Sequence, residues 1–376
     1  MLFKRKNRSD NSPAEQDSKP QTTNLPVRDD NIPFSSDSEV QEFTNIIGDN
    51  YVSKRQMDLS DAELDMLSIT DGSEMWRLYS WMHNNVIKDD TEEKRMLSLQ
   101  RISRLADVLC KKILKADQIY CLYSKVTGEP YLFSRTVKQN EGYLCTPPDI
   151  LIFTKAYVDT AKKHYPNEIF EMVKIENNDD EKGIENFLGK CFYINGAAGL
   201  EINSPYAAID ASKIVAPPNF EGVPEVSIPI MNPDLMRWML LIAQMQTPES
   251  DDEKLIYKLY YRFMSAEITK ARFIVPMRPD KNFPDVKNNN TAQKITLKED
   301  AEFSIATIDG KHEKPAVLMY TDWQRLYEKY SGWSGLIMTI KEIISVNDVA
   351  INVTKNPNLG FYIDEEIYND MIRTAN

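Results

Sequence analysis

Cysteine and histidine are scarce in this sequence, and neither forms a metal-binding pattern. The 376 residues include three histidines and four cysteines, namely Cys110, Cys121, Cys145 and Cys191. No two cysteines form a C-x-x-C pair, whereas structural zinc sites usually draw their ligands from short-spaced pairs. We therefore expect no metal ion and no cofactor. The apolar neighbours of most cysteines favour buried, reduced thiols, which suits a cytoplasmic protein.

The sequence also lacks a basic excess and a long apolar run. Its 45 Lys and Arg residues are outnumbered by 57 Asp and Glu residues, for a net charge of −12. This balance argues against a nucleic-acid footprint and against an anionic membrane surface. No stretch approaches the roughly 20 apolar residues of a membrane-spanning helix, and the basic N-terminus is not followed by the apolar region of a secretory signal. We expect a cytoplasmic protein that binds neither nucleic acid nor membrane.

No group of residues forms a recognisable catalytic motif, and we assign no catalytic residue. The glycines of residues 196–199 are not followed by Lys and Ser or Thr, so this segment is not a phosphate-binding loop. A nucleophilic arrangement of Thr321, His312 and Asp322 is conceivable, but a helix cap is the more common role of such a threonine. Cys145 or Cys191 could serve as a nucleophile, although neither has a histidine nearby in the sequence. These patterns favour a non-catalytic protein over an enzyme.

What the sequence does contain is the same strand-to-helix unit twice. Residues 150–153 and residues 316–320 are apolar runs that end in an aromatic residue, and each is followed by a threonine and a helical pattern. We interpret each unit as a buried strand that leads into a helix capped by Thr154 or Thr321. The sequence thus predicts an internal duplication.

The alignment of the two copies predicts which residues are equivalent. A glycine precedes the last predicted strand in each copy, where we expect a positive φ. The matched positions are cap, core and turn residues, so the copies share structure and no reactive group. The predicted pairs are Ala116 with Ala271, Leu151 with Leu318, Phe153 with Tyr320, Thr154 with Thr321, Ile169 with Leu336, Gly199 with Gly360, and Ile202 with Ile363.

Composition and periodicity divide the chain into segments. The first is poor in large apolar residues and is expected to be a disordered tail, with a tether or docking motif around residues 32–34 as the alternative. Asn232-Pro233 and Thr247-Pro248 predict two helix starts. Cys191–Ile194 reads as a strand, and Asp309-Gly310 as a hairpin turn. The predicted segments are a tail (1–55), a helical segment (56–115), a first domain (116–204), a Pro-rich linker with a helical pair (205–269) and a second domain (270–376).

Several stretches resemble the SseB family, named for enhanced serine sensitivity. In the second copy these are "ARFIVPM", "AVLMYTDWQRLYEKY" and "VAINVTKNPNLGFYID", and in the first "DQIYCLY", "DILIFTKAYVDTAKK" and "CFYINGAAGLEIN". The resemblance identifies tandem domains similar to the N-terminal and C-terminal SseB domains. It implies an α+β fold in which two related domains, each a mixed sheet with packed helices, are joined by a helical linker. It implies no catalytic residues.

Our leading hypothesis is a non-catalytic cytoplasmic interaction or regulatory module with a protein or small-molecule partner. Trp323, Tyr327, Tyr330 and Trp333 form a candidate contact patch, because such aromatics are enriched at binding hot spots, although core positions would also suit them. The alternative is an enzyme or enzyme modulator linked to serine or sulfur metabolism, with a site between the two domains. A third hypothesis, an adaptor for a secretion or surface apparatus, rests on the tail alone.

Overall fold

The structure is a computed structural model of the chain. It describes residues 61–83, 87, 89–139, 142–177, 182–203, 207–245, 247–280, 302–311, 314–354 and 356–375. The predicted tail (1–55) and His312 lie outside the described residues. In the described part, no helix is both long and apolar enough to cross a membrane.

Contacts between residues divide the chain into two compact units. Of the described residues, those up to 125, 149–188 and 198–216 form the first unit, and those in 126–148, 189–197 and from 217 onward form the second. Two short segments that the sequence analysis assigned to the first domain therefore belong by contact to the second unit. Each unit combines helices with β-sheet, and the predicted α+β class is confirmed.

The helices and strands of the first unit run in the following order. They are α1 (Asp61–Met66), α2 (Ile69–Met82), α3 (Glu92–Lys115), β1 (Gln118–Ser124), β6 (Asp149–Phe153), α4 (Val158–His164), β7 (Phe170–Glu176), most of α5 (Gly183–Tyr193), β8 (Gly199–Ile202), β9 (Ala207–Asp210) and α6 (Ala211–Ile214).

The second unit begins with four short strands taken from between β1 and β6. Its elements are β2 (Glu129–Pro130), β3 (Leu132–Phe133), β4 (Thr136–Gln139), β5 (Gly142–Cys145), α7 (Pro233–Gln244), α8 (Asp251–Ile268), β10 (Phe273–Pro279), β11 (Phe303–Ile305), β12 (Thr307–Ile308), β13 (Ala316–Met319), α9 (Trp323–Lys329), β14 (Ser334–Met338), β15 (Asp348–Ile351), β16 (Phe361–Ile363) and α10 (Glu365–Ala375).

The two units share one strand order. In the first unit the order is β7-β1-β6-β8-β9, and only the β6–β8 pair is parallel. In the second it is β14-β10-β13-β15-β16, and only the β13–β15 pair is parallel. An antiparallel bridge between Ile274 and Tyr320 joins β10 to β13. Five strands therefore repeat in order and in direction, as the predicted duplication requires.

The helices repeat as well, although the sequence pattern did not predict this repeat. In the first unit α3 packs against α2 and α6, and in the second α8 packs against α7 and α10. The helical pair ahead of the second sheet thus has a counterpart ahead of the first. Both long helices carry acidic residues in their first turn, where the helix dipole favours negative charge. Ser250 and Glu253 form a capping box that starts α8 three residues after Thr247-Pro248.

Part of the predicted register between the copies is wrong. Tyr120 lies opposite Phe153, and Ile274 lies opposite Tyr320, so Tyr120 and Ile274 are equivalent and the pairing of Ala116 with Ala271 is one residue out. Opposite these residues lie Lys174 and Ile337. Leu336 therefore takes the place of Val173, not Ile169. The pairing of Leu336 with Ile169 is wrong because α9 is shorter than the helical stretch of residues 155–164, so fewer residues separate Thr321 from the next strand than separate Thr154 from β7.

The closing strands were also matched wrongly. The parallel ladders begin with Asp149 opposite Gly199 and with Ala316 opposite Asp348, so Gly199 is equivalent to Asp348 and not to Gly360. By the same ladders, Ile202 is equivalent to Ile351 and not to Ile363. Neither predicted glycine has a positive φ. Gly199 is needed for a different reason, since a Cβ there would come within 2.3 Å of the carbonyl oxygen of Ile209 on β9.

The predicted strand at Cys191–Ile194 is wrong as well, because most of this segment is the end of helix α5. Ile184, Leu188 and Cys191 recur at helical spacing, and all three are buried. A four-residue apolar run cannot be assigned to strand or helix by its own periodicity. Only a stretch longer than these four residues, extending back to Ile184, shows the helical spacing.

Candidate functional site

An asparagine binds the threonine at the strand end in both units. The backbone N–H of Thr154 donates to Oδ1 of Asn203 at 2.8 Å, and that of Thr321 donates to Oδ1 of Asn352 at 3.0 Å. The two asparagines directly follow β8 and β15, and their φ angles of 53° and 51° place them in the left-handed region. Asparagine tolerates this region better than most residues. The duplication therefore extends to individual hydrogen bonds.

The prediction that these threonines cap the following helices is wrong. Thr154 makes no side-chain cap bond, and Asp322 caps α9 by accepting from the backbone N–H of Arg325 at 3.0 Å. The hydroxyl of Thr321 donates to the carboxylate of Asp322 at 2.9 Å. The carboxylate is the stronger acceptor for an unpaired helical N–H, and the threonine is occupied by the neighbouring asparagine.

Within the second unit, a buried ionic cluster lies at the carboxyl end of the parallel strand β13. Nη1 of Arg325 is 2.6 Å from the carboxylate of Asp322, and Nη2 is 2.7 Å from Glu129. Asn195 accepts from the same Nη2 at 2.9 Å and donates to Glu129 at 3.0 Å. The side chains of Arg325 and Asp322 are 3% and 2% exposed. The Arg325 cluster (Glu129, Asn195, Asp322 and Arg325) thus holds three segments of the second unit together.

The cluster is charged, and its charges are matched to each other. Desolvation alone would lower the pKa of Arg325, but the attraction of Asp322 and Glu129 outweighs it, so the pKa is raised and the guanidinium stays protonated. Its Nε is buried and has no hydrogen-bond partner among the residues that the structure describes. Burying charges is costly unless they are paired and hydrogen-bonded, so the cluster organises the second unit and depends on each member being present.

The first unit has no counterpart of the ion pair among its described residues. Lys155 and Val158 stand at the corresponding positions after Thr154. There the hydroxyl of Tyr157 donates to the buried carboxylate of Glu74 at 2.6 Å, and the side-chain amide of Asn203 donates to Ser73 at 3.1 Å. The same backbone turn is therefore supported by different chemistry in each unit.

The aromatic patch predicted from the sequence falls into two contacting pairs. The ring centroids of Trp323 and Tyr327 are 5.5 Å apart, and those of Tyr330 and Trp333 are 5.1 Å apart. Trp323, Tyr330 and Trp333 are partly buried and pack against the hydrophobic core, whereas Tyr327 is 49% exposed. Arg278 lies over the ring of Trp333. Three of the four residues therefore serve the core as well, and Tyr327 presents the most surface.

Burial holds three of the four thiols, those of Cys110, Cys121 and Cys191, away from solvent. Burial raises the pKa of Cys110 to about 11 and raises that of Cys121 further. Cys191, a candidate nucleophile, is 1% exposed. Cys145, the other candidate, is partly exposed and lies 3.3 Å from the hydroxyl of Ser134. Thr321 is completely buried, and among the described residues its hydroxyl is hydrogen-bonded to the amide of Asn352 and the carboxylate of Asp322.

One open groove of about 450 Å³ lies on the second unit beside α10. Its described lining includes Lys341, Glu365 and Tyr368, and contains neither an imidazole nor a thiol. Across the described residues, no group of three His, Cys, Asp or Glu side chains is placed to hold a metal ion. No family model, no curated protein and no solved structure matches the chain.

The sequence patterns predicted neither Arg325 nor Asn352, which organise the carboxyl end of β13 in the second unit. The spacing of Asp322 and Arg325 at i and i+3 is compatible with an ion pair on a helix. Such pairs are usually exposed, however, and the sequence contains several others. Nothing in the sequence indicated that Glu129 and Asn195 would join this pair.

Proposed function

We propose that the chain is a non-catalytic, cytoplasmic SseB-like protein, an interaction or regulatory module whose second unit binds a protein partner through the aromatic patch. The main support is that the polar residues at the carboxyl ends of the parallel strands of the second unit are buried and hydrogen-bonded within that unit. Ligands commonly bind at such strand ends. Here Thr321, Asp322, Arg325 and Asn352 are each at most 3% exposed and bind one another, or other groups of their own unit.

The aromatic patch supports the choice of surface. Tyr327 and Trp323 form a tilted aromatic pair of which one ring is half exposed, and rigid aromatic side chains bury large areas at little entropic cost when a partner binds. The packing of Trp323 against the core fixes the ring beside Tyr327 before binding, so little order is lost on association. The enzyme alternative has no comparable observation in its favour among the described residues.

The test compares two exposed tyrosines of the same unit. Full-length protein, Tyr327→Ala and Tyr257→Ala are immobilised and incubated with extract of the native host, and bound proteins are identified by mass spectrometry. Tyr257 is 36% exposed on α8 and stacks on Tyr261, so it provides a matched control. We expect Tyr327→Ala to lose the specific partner while Tyr257→Ala retains it. A folded Tyr327→Ala variant that captures the same proteins as the wild type would refute this surface.

A further inference from the structure

Strand β14 is a sheet edge that carries no charged residue. It reads Ser-Gly-Leu-Ile-Met, and it pairs with β10 on one side and with no described residue on the other. Ile337, its fourth residue, is 37% exposed. An unpaired edge offers a row of backbone donors and acceptors to any extended segment, and proteins commonly protect such edges with charged side chains. On β14 that protection is missing.

The first unit shows the protected form of the same edge. Strand β7 occupies the equivalent position, and it carries Glu171, Lys174 and Glu176. By register, Ile337 stands where β7 has Lys174, whose ammonium group pairs with Glu176 at 2.7 Å. The two edges share a fold and differ in charge. The difference points to a strand partner for β14.

We propose that the partner is a second copy of this chain, whose β14 pairs antiparallel with the first β14 about a two-fold axis at Leu336. This register places the small Gly335 opposite Ile337 and Ser334 opposite Met338, so a small residue meets a large one at each of these positions. A two-fold interface must be self-complementary in this way. Because each chain carries a net charge of −12, a shared edge also has to be free of like charges.

The Trp323 ring specifies where the second copy's Ile337 would lie. A Cβ on Gly335 would come within 2.8 Å of this ring and within 2.3 Å of the Ile274 side chain, so the ring covers the strand at Gly335. Directly opposite residues of an antiparallel pair share one face of the sheet. Ile337 of the second copy therefore packs beside Trp323 of the first, and the contact occurs twice in the dimer.

The test places lysine at position 337 of β14, because lysine is the residue that β7 carries at the equivalent position, 174. Sedimentation velocity and multi-angle light scattering of the full chain should show a concentration-dependent dimer. Ile337→Lys should be monomeric at concentrations at which the wild type is dimeric, with an unchanged circular dichroism spectrum. Lys174→Gln, on the edge of the first unit, should still form the dimer.

Cross-linking tests the register directly. Leu336→Cys should form a disulfide-linked dimer on mild oxidation, since the axis brings the two cysteines opposite each other at a separation a disulfide can span. Val173→Cys, at the equivalent position of β7, should not. A wild-type chain that stays monomeric refutes the inference, as does a dimer that Ile337→Lys leaves intact. If the wild type is monomeric and captures a protein that Ile337→Lys does not capture, the dimer is also refuted, and the strand that pairs with β14 belongs to another protein. A monomeric wild type would refute the dimer only, because the partner proposed to bind at Tyr327 is tested separately by the Tyr327→Ala capture experiment.

Discussion

Replacing Arg325 with methionine tests how much the Arg325 cluster contributes to the free energy of unfolding. Methionine approximates the length of the aliphatic part of the side chain and removes the guanidinium, which contacts Asp322 at 2.6 Å and Glu129 at 2.7 Å. Asp322 keeps its bonds to the Arg325 backbone N–H and to Thr321. Its charge is left buried without a counter-ion.

The expected loss of unfolding free energy is about 3–5 kcal/mol, the usual cost of removing one partner of a buried ion pair. Arg272 gives the matched control, because its side chain is 52% exposed and its partner Glu225 is 80% exposed. Arg272→Met should cost no more than about 1 kcal/mol. Adding Asp322→Asn to Arg325→Met should recover part of the loss, because it removes the unpaired charge.

Urea unfolding followed by tryptophan fluorescence measures the effect. Three of the five tryptophans, Trp238, Trp323 and Trp333, belong to the second unit, so a large part of the signal reports the unit that contains the cluster. With a slope of about 2 kcal/mol per molar urea, a loss of about 3 kcal/mol moves the midpoint down by about 1.5 M. A shift for Arg325→Met no larger than that for Arg272→Met would refute the reasoning.

Three further predictions follow from single contacts. Gly335→Ala should cost about 1–3 kcal/mol in thermal unfolding, because the added methyl group meets Ile274 and the Trp323 ring; a gain in stability would contradict the packing. Asn352→Ala should lower the free energy of unfolding by at least about 2 kcal/mol in urea, because alanine tolerates the left-handed backbone less well and cannot make the side-chain bonds to Thr321. A loss below about 0.5 kcal/mol would exclude this role for Asn352. At pH 8 a thiol reagent should modify Cys145 quickly and Cys110 only on unfolding, since the Cys110 pKa of about 11 keeps its thiolate fraction near 0.1%; equal native rates would contradict the burial.

The candidate site illustrates how far local patterns reach. The strand ends at Thr154 and Thr321 follow from apolar runs that break into helical spacing, and both threonines lie where the pattern places them. Their partners do not follow from it. Asn203 and Asn352 are 49 and 31 residues further along the chain, and a local reading assigned the threonines to the nearest helix instead.

The sequence by itself determined the α+β class, most of the strands, and the existence of two related copies, because hydrophobic periodicity and turn residues act over a few residues and can be read locally. The tertiary structure decided the equivalence of the closing strands and the burial of Arg325 with Glu129 and Asn195. These depend on which distant segments meet, and a parallel strand pair is joined by a connection whose length the sequence pattern does not constrain. The Arg325 guanidinium lies 196 residues from Glu129 along the chain, and only the folded second unit brings the two charges together.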